Sequence, residues 1–221
     1  MAVCLREIVL RGRKQRKESE VAAIEEDTTQ ELSVGELLER ANRDRTSREK
    51  AIIVRGLESF SSFSCIRFRP YRSGDREWLN IESRNGCYSY VGRTGGGQTV
   101  SLSRQGCLYH NTVQHELLHA LGFNHEQTRN DRDNHIRVHW NNIIDDMKYN
   151  FNKIATLNQG TSYDYNSVMQ YHRYAFSKNN YPTMEPIPNS NVSFGKATEM
   201  SKNDIDRLNR LYKCCENQWP P

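Results

Sequence analysis

The twelve residues from His115 to Glu126, HELLHALGFNHE, restrict this chain more than any other stretch of it. Three histidines and two glutamates share them, at spacings that no amphipathic core helix requires. At about 100° per residue, His115 and His119 stand ~40° apart on one side of a helix. Val113, Leu117, Ala120 and Leu121 spread over the opposite arc, so the helix can pack by one face and offer two imidazoles from the other. Glu116 lies between those faces, near the histidines but out of line with them, which suits a base acting on water better than a metal ligand. Gly122 can take the left-handed conformation that ends a helix sharply, and the turn brings His125 back toward the same point. Three neutral imidazoles on Zn²⁺ leave an open coordination position, which separates catalytic from structural zinc.

Such a site has a definite chemistry. Zinc lowers the pKa of its bound water toward ~7 and polarises a carbonyl, while Glu116 takes the water proton and returns it to the leaving amine. A bare His-Glu-x-x-His arises by chance in roughly one chain in a hundred of this composition; fixing Gly122 and His125 as well lowers that to the order of one in tens of thousands. His110, His135, His139 and His172 have no such spacing and read as ordinary surface or polar residues. Downstream, SVMQY with Met169 and Tyr171 supplies a candidate Met-turn, the second half of the metzincin signature.

With 221 residues the chain has room for one catalytic-sized domain and a tail. Its hydrophobic share of 36% is below the usual level, so part of the chain is expected outside any core. Residues 1–46, polar and poor in aromatics, are the candidate, mostly disordered apart from a short helix capped by Ser33 and Glu36. MAVCLREIVLRGRKQRK breaks its apolar run at Arg6 and Glu7 and then turns basic, so it does not read as a proper signal peptide. No stretch approaches the roughly 18 apolar residues of a membrane span. The net charge is only +4, and the cluster Arg11, Arg13, Lys14, Arg16 and Lys17 lacks interleaved aromatics; of a solvated tail, a processing site and a nucleic-acid patch, the solvated tail is the expectation.

From Ser47 a helix carries Ile53, Leu57 and Phe60 at helical spacing, and FSCIRFR, EWLNIES, CYSYVG and TVSLS follow as strand candidates. A sheet of about four strands with helices against it is predicted. Asn111 and Gln114 have the spacing to cap the histidine-bearing helix. Residues 123–199 read as loop-rich, and SKNDIDRLNRLY as a last helix with Ile205, Leu208 and Leu211 as its buried stripe. Six cysteines at 4, 65, 87, 107, 214 and 215, none in a Cys-x-x-Cys pair, favour disulfides in an oxidising compartment. Asn191-Val192-Ser193 is a glycosylation triplet of a kind that also arises by chance.

HELLHALGFNHEQTRNDRD and SVMQY resemble the extended zinc site and Met-turn of the astacin family of zinc endopeptidases, over about residues 47–214. The resemblance implies an α+β fold: a twisted mixed sheet, an active-site helix and a loop-rich C-terminal subdomain ending in a helix. The catalytic domain would run over residues 47–215, divided at 122, after a propeptide remnant at 1–46 and before a tail at 216–221. One zinc would be held by His115, His119 and His125. Tyr171 would be an additional ligand that swings away to stabilise the tetrahedral intermediate, and Met169 the floor beneath the metal. Cys65 would pair with Cys214 and Cys87 with Cys107, the first loop contributing ~3–5 kcal/mol on loop-entropy grounds. Cys4 and Cys215 would remain, and the adjacency of Cys214 and Cys215 leaves their pairing open. Substrate would lie extended along an edge strand of Cys87, Tyr88, Ser89 and Tyr90. Within the family, GCYSYVGRTGG, VSLSRQGC and MQYHRYAFS look most like the fish hatching enzymes, or choriolysins. The implied enzyme is a secreted monomer acting on egg-envelope glycoproteins, with no nucleic-acid or membrane partner.

Three departures from the family pattern set further expectations. Gln170 stands where the family usually has histidine. The helix at Ser47 follows ELSVGELLERAN almost directly, where the family carries a zinc-blocking Gly-Asp, an activation point, a cysteine-bearing mature N-terminus and the first strand. The only Gly-Asp of the chain is Gly74-Asp75. A product of exon skipping or misassembly would leave the sheet without its first strand and Glu126 without its N-terminal neighbour, a buried carboxylate titrating upward. The alternative function is therefore a zinc-binding but catalytically impaired, truncated or decoy form with an exposed sheet edge.

Overall fold

An interior strand has neighbours on both edges to take its backbone hydrogen bonds, so a short apolar run suffices to fill such a place. Ile8-Val9-Leu10 is such a run. In the computed structural model, which describes residues 6–11 and 46–214, β1 (Arg6–Arg11) is the second strand of a five-stranded sheet, next to one edge. The other strands are β2 (Ile66–Pro70), β3 (Glu77–Glu82), β4 (Cys87–Ser89) and β5 (Gly96–Leu102), in the order β2-β1-β3-β5-β4. β1 pairs in parallel with β2, from Arg6 opposite Ile66 to Leu10 opposite Pro70, and with β3 through Leu10 opposite Leu79. β3 and β5 are parallel, and only β4, at the edge, is antiparallel to its neighbour.

The fold class is α+β with a mixed sheet, as expected, but the expected vacancy of the first strand is not found. An apolar run of three fills that slot even though charged residues flank it, because two parallel neighbours offer hydrogen bonds to its backbone. The Ser33–Glu36 helix, the basic cluster beyond Arg11, Cys4 and Cys215 lie outside the described residues. Among those described, no helix is long and apolar enough to cross a membrane.

Helix α1 (Ser47–Phe63) begins with a capping box: Thr46 Oγ1 accepts from the Glu49 N–H at 3.3 Å, and the Thr46 N–H donates to Glu49 Oε2 at 2.6 Å. Ile53, Leu57 and Phe60 are buried, as their spacing predicts. Gly56 lies on the same face, where a Cβ would stand 2.3 Å from Val113 Cγ1, so only glycine permits this approach to α2 (His110–Ala120). The predicted cap on α2 does not form: Tyr109 is the N-cap and makes no side-chain bond. Asn111 instead donates to the Ala197 carbonyl at 2.8 Å. Gln114 donates to Ser59 Oγ at 2.9 Å and accepts from the Met200 N–H at 2.8 Å. Long-range partners on two other segments win over the local cap.

Residues 123–214 contain little regular structure beyond the two-stranded ribbon of β6 (Ile136–Val138) and β7 (Met184–Pro186), several 3-10 turns and α3 (Lys202–Tyr212). Their apolar centre is a separate cluster that includes Ile136, Ile143, Phe151, Met184 and Phe194. The stripe predicted for α3 is only partly right. Leu208 is fully buried, but Leu211 is 40% exposed, and Asp204 and Arg207 are turned inward. Disulfides join Cys65 to Cys214 and Cys87 to Cys107, with Cα separations of 5.3 and 5.7 Å. The first ties the start of β2 to the end of α3.

Candidate metal centre and substrate cleft

One turn of α2 separates His115 from His119. Gly122 then ends the helix at φ 102°, a conformation L side chains rarely adopt, and the Phe123 N–H turns back to the Leu118 carbonyl at 3.0 Å. His125 returns to the helix, so that its Nε2 lies 3.2 Å from that of His115 and 3.1 Å from that of His119. The opposite ring nitrogens are fixed: His115 Nδ1 meets the Val168 carbonyl at 2.8 Å and His119 Nδ1 the Phe123 carbonyl at 2.7 Å. A carbonyl only accepts, so each Nδ1 bears the proton and each Nε2 lone pair points to the shared centre.

Burial holds the pKa of His115 below the ordinary histidine value, takes His119 down to about 4 with help from the neighbouring His115, and depresses His125 strongly. The imidazoles are therefore neutral at neutral pH, the form that binds metal. Lone pairs this close repel one another unless a cation lies between them. Nitrogens bound at ~2.0–2.1 Å in a tetrahedron are ~3.3 Å apart, close to the spacing found here. The residues fit one zinc ion.

Glu116 leaves α2 beside this cluster. It is 4% exposed, and its Oε2 is buried with no hydrogen-bond partner. Burial alone pushes its pKa up to about 8; a cation nearby opposes that shift by favouring the carboxylate. An unpaired carboxylate oxygen in such a place is costly unless something else is bound there.

The other wall comes from the loop-rich half. Met169 is completely buried, and its carbonyl accepts from the Glu126 N–H at 3.0 Å. The Tyr171 ring lies beside His125 with centroids 4.3 Å apart. Burial, with a contribution from the Glu116 charge, raises its phenol pKa to about 12. Gln170 takes up the position next to it through two bonds: it accepts from the Tyr163 hydroxyl and donates to the Tyr171 carbonyl at 2.9 Å.

Glu126 does not lack partners, contrary to expectation. Arg207 donates to both its oxygens at 2.5 and 3.0 Å, Arg129 donates at 3.3 Å, and the Asp164 N–H donates at 2.8 Å. Burial still raises its pKa, with both arginines opposing the shift. One turn earlier on α3, Asp204 accepts from the Ser167 hydroxyl at 2.6 Å and the Val168 N–H at 2.9 Å. The carbonyl of that same Val168 holds His115. Thus α3 steadies both arms of the site, through Asp204 to His115 and through Arg207 and Glu126 to the segment of His125. Sequence reasoning missed both residues; the sign that could have found them is their i, i+3 spacing on the inward face of a helix.

Between the two walls lies a cleft of about 440 Å³. Cys87, Tyr88 and Ser89 of edge strand β4 form one side, Asn150, Asn152 and Ile154 the other, and the three histidines, Glu116 and Tyr171 the floor. Tyr90 follows β4, is 62% exposed and is not among the lining residues. Among the described residues, no lysine, arginine or aspartate lines the cleft.

Three histidines that could hold a metal ion, a buried methionine near them in the chain and an edge strand beside the opening are the arrangement expected of a metallopeptidase type of catalytic domain. Residues 37–213 match the family model of Astacin, a peptidase family, and the chain belongs to that family. It is 49% identical over 168 residues to the low choriolytic enzyme of Oryzias latipes, covering 76% of this chain and 62% of that protein. It is 44% identical over 170 residues to the zinc metalloproteinase nas-6 of Caenorhabditis elegans, covering 75% of this chain and 49% of the relative. The chain thus spans less than two thirds of the length of these relatives. Among solved structures, the high choriolytic enzyme 1 of Oryzias latipes superposes with a TM-score of 0.75 at 46% identity, covering 77% of this chain and 86% of that one.

Proposed function

We propose that this chain is a zinc-dependent endopeptidase, secreted and monomeric, whose catalytic unit is closed by the Cys65–Cys214 bridge and whose substrate is protein of the egg envelope. The observation that carries the catalytic reading is Glu116 Oε2, buried without a partner beside three converging imidazoles at the floor of an open cleft. Bound zinc supplies Lewis acidity, polarising a carbonyl and acidifying water. Glu116 accepts the proton of the attacking water and delivers it to the leaving amine. Tyr171, whose raised pKa keeps its proton at neutral pH, donates a hydrogen bond to the oxyanion that develops on the scissile carbonyl. The free edge of β4 pairs with an extended peptide and holds the scissile bond across the floor.

The likeness to choriolytic enzymes supports the substrate class, and the two disulfides support an extracellular location. The impaired-form alternative depends on a missing strand, and β1 stands in that place.

The test is Glu116→Ala. The variant should retain one zinc per chain and lose on the order of 10² to 10⁴ in casein turnover. Unchanged casein cleavage would sink the catalytic assignment. Wild-type protein that cuts casein but leaves isolated egg envelopes intact would remove the envelope substrate alone.

A further inference from the structure

We infer that Asn191 is a site of N-linked glycosylation. Among all the asparagines of the chain, Asn191, followed by Val192 and Ser193, is the only one with serine or threonine two residues on and no proline between. A chance triplet falls anywhere, including buried or hydrogen-bonded positions; this one falls where an oligosaccharide can be carried. Asn191 and Ser193 are both exposed, while Phe194 directly after them is buried at 5%. The backbone N–H of Asn191 donates to Asn189 Oδ1 at 3.0 Å, but neither the Asn191 amide nor the Ser193 hydroxyl has a hydrogen bond among the described residues, so glycosylation costs no native contact there.

The flanks are held so that the turn stays at the surface. Arg173 donates to the Ser190 carbonyl at 2.7 Å and the Val192 carbonyl at 3.4 Å, and its guanidinium lies 5.4 Å from the centre of the Phe194 ring. Gly195 follows at φ 66°, where a Cβ would meet His172 Cα at 2.3 Å. Side chains 191 and 193 remain outside this anchor. None of residues 186–195 lines the cleft, so a glycan here leaves the substrate path open.

The donor is an oligosaccharide on a polyprenyl diphosphate, acted on by the transferase of the exporting cell. Asn191 Nδ2 forms a bond to the sugar C1, the bond from C1 to the diphosphate oxygen breaks with its electron pair leaving on the lipid diphosphate, and the amide nitrogen gives up one proton. The Ser193 hydroxyl is the recognition group. The inference rests on the extracellular reading above.

The full chain expressed behind a host leader in a eukaryotic cell tests it, scored in both the endoplasmic reticulum fraction and the medium. Peptide N-glycosidase should shift the wild type by a single glycan and convert residue 191 to aspartate in the peptide 179–196. Asn191→Gln and Ser193→Ala should each migrate as deglycosylated protein and hydrolyse casein at the wild-type rate; Ser193→Thr should keep or increase occupancy. Wild-type protein with both disulfides formed and residue 191 unmodified would overturn the site, because those disulfides prove passage through the oxidising compartment. Loss of casein hydrolysis in the glycosylated wild type would count against the peptidase reading and leave the site standing.

Discussion

The two walls of the cleft are built by different physics. Among the described residues up to 122, the only buried ionisable side chains are Glu116 and His119, both in the site itself; elsewhere that half is sealed by Ile53, Leu57, Phe60, Leu102 and Leu117. The half beyond 122 buries Glu126, Arg129, Arg132, Asp164, Asp204 and Arg207. Its loops leave backbone carbonyls that no helix or strand satisfies, and guanidiniums take them. Arg132 reaches the Gln127 and Phe151 carbonyls at 2.8 Å each, and Arg129 those of Thr161 and Ser162 at 3.0 and 3.1 Å. A sheet and two helices satisfy their own backbones and need only apolar cover, whereas a loop-rich wall needs buried donors. The metal centre takes two ligands from the first kind of wall and one from the second.

The contrast makes unequal demands on substitution. Arg207→Met should have the largest effect on folding, because Glu126 would stay buried with only the longer bond to Arg129 as a charged partner. A loss of about 3–5 kcal/mol is expected from removing one member of a buried pair, read by urea unfolding, together with weaker zinc retention. A variant as stable as wild type would show that the polar wall is not held by its charges. In the apolar wall, Gly56→Ala forces a methyl into Val113 and should destabilise by about 1–3 kcal/mol. Adding Val113→Ala should recover part of that, and strict additivity of the two changes would rule out the contact as cause.

The smallest effect concerns the surface. The Arg69 guanidinium, and then the Arg72 N–H, hold Asp75 down to about 2. A carboxyl depressed in the folded state stabilises above its unfolded pKa of ~3.9 and loses that contribution as the pH falls toward the folded value. The urea midpoint should therefore decline between about pH 4 and pH 2, slightly less steeply in Asp75→Asn. An identical slope would assign the acid sensitivity to other groups.

Legibility followed the same division. The buried face of α1, the strands β2, β3 and β5, the turn at Gly122 and the histidine triad are periodic or closely spaced, and local pattern finds them. β1 escapes such a reading because Ile8-Val9-Leu10 is too short to declare itself without neighbours, and its neighbours are more than fifty residues away. The cap assigned to Asn111 and Gln114 is overridden by partners such as Ser59 and Ala197. The stripe assigned to α3 is only partly right because hydrophobic periodicity assumes an apolar surface opposite, and this helix faces a carboxylate and a turn that needs an acceptor for the Ser167 hydroxyl and the Val168 N–H.

HELLHALGFNHE determined by itself which groups converge, since one helical turn and one glycine set the relation of His115, Glu116, His119 and His125 within a few residues. It could not decide what keeps them in place. Arg207 stands 81 residues from Glu126, and Asp204 stands 36 from Val168; contacts at such separations carry no local period, and only the folded chain brings them together. The partner of Glu126 is the clearest instance: the sequence shows a carboxylate without a neighbour, and α3 brings it an arginine.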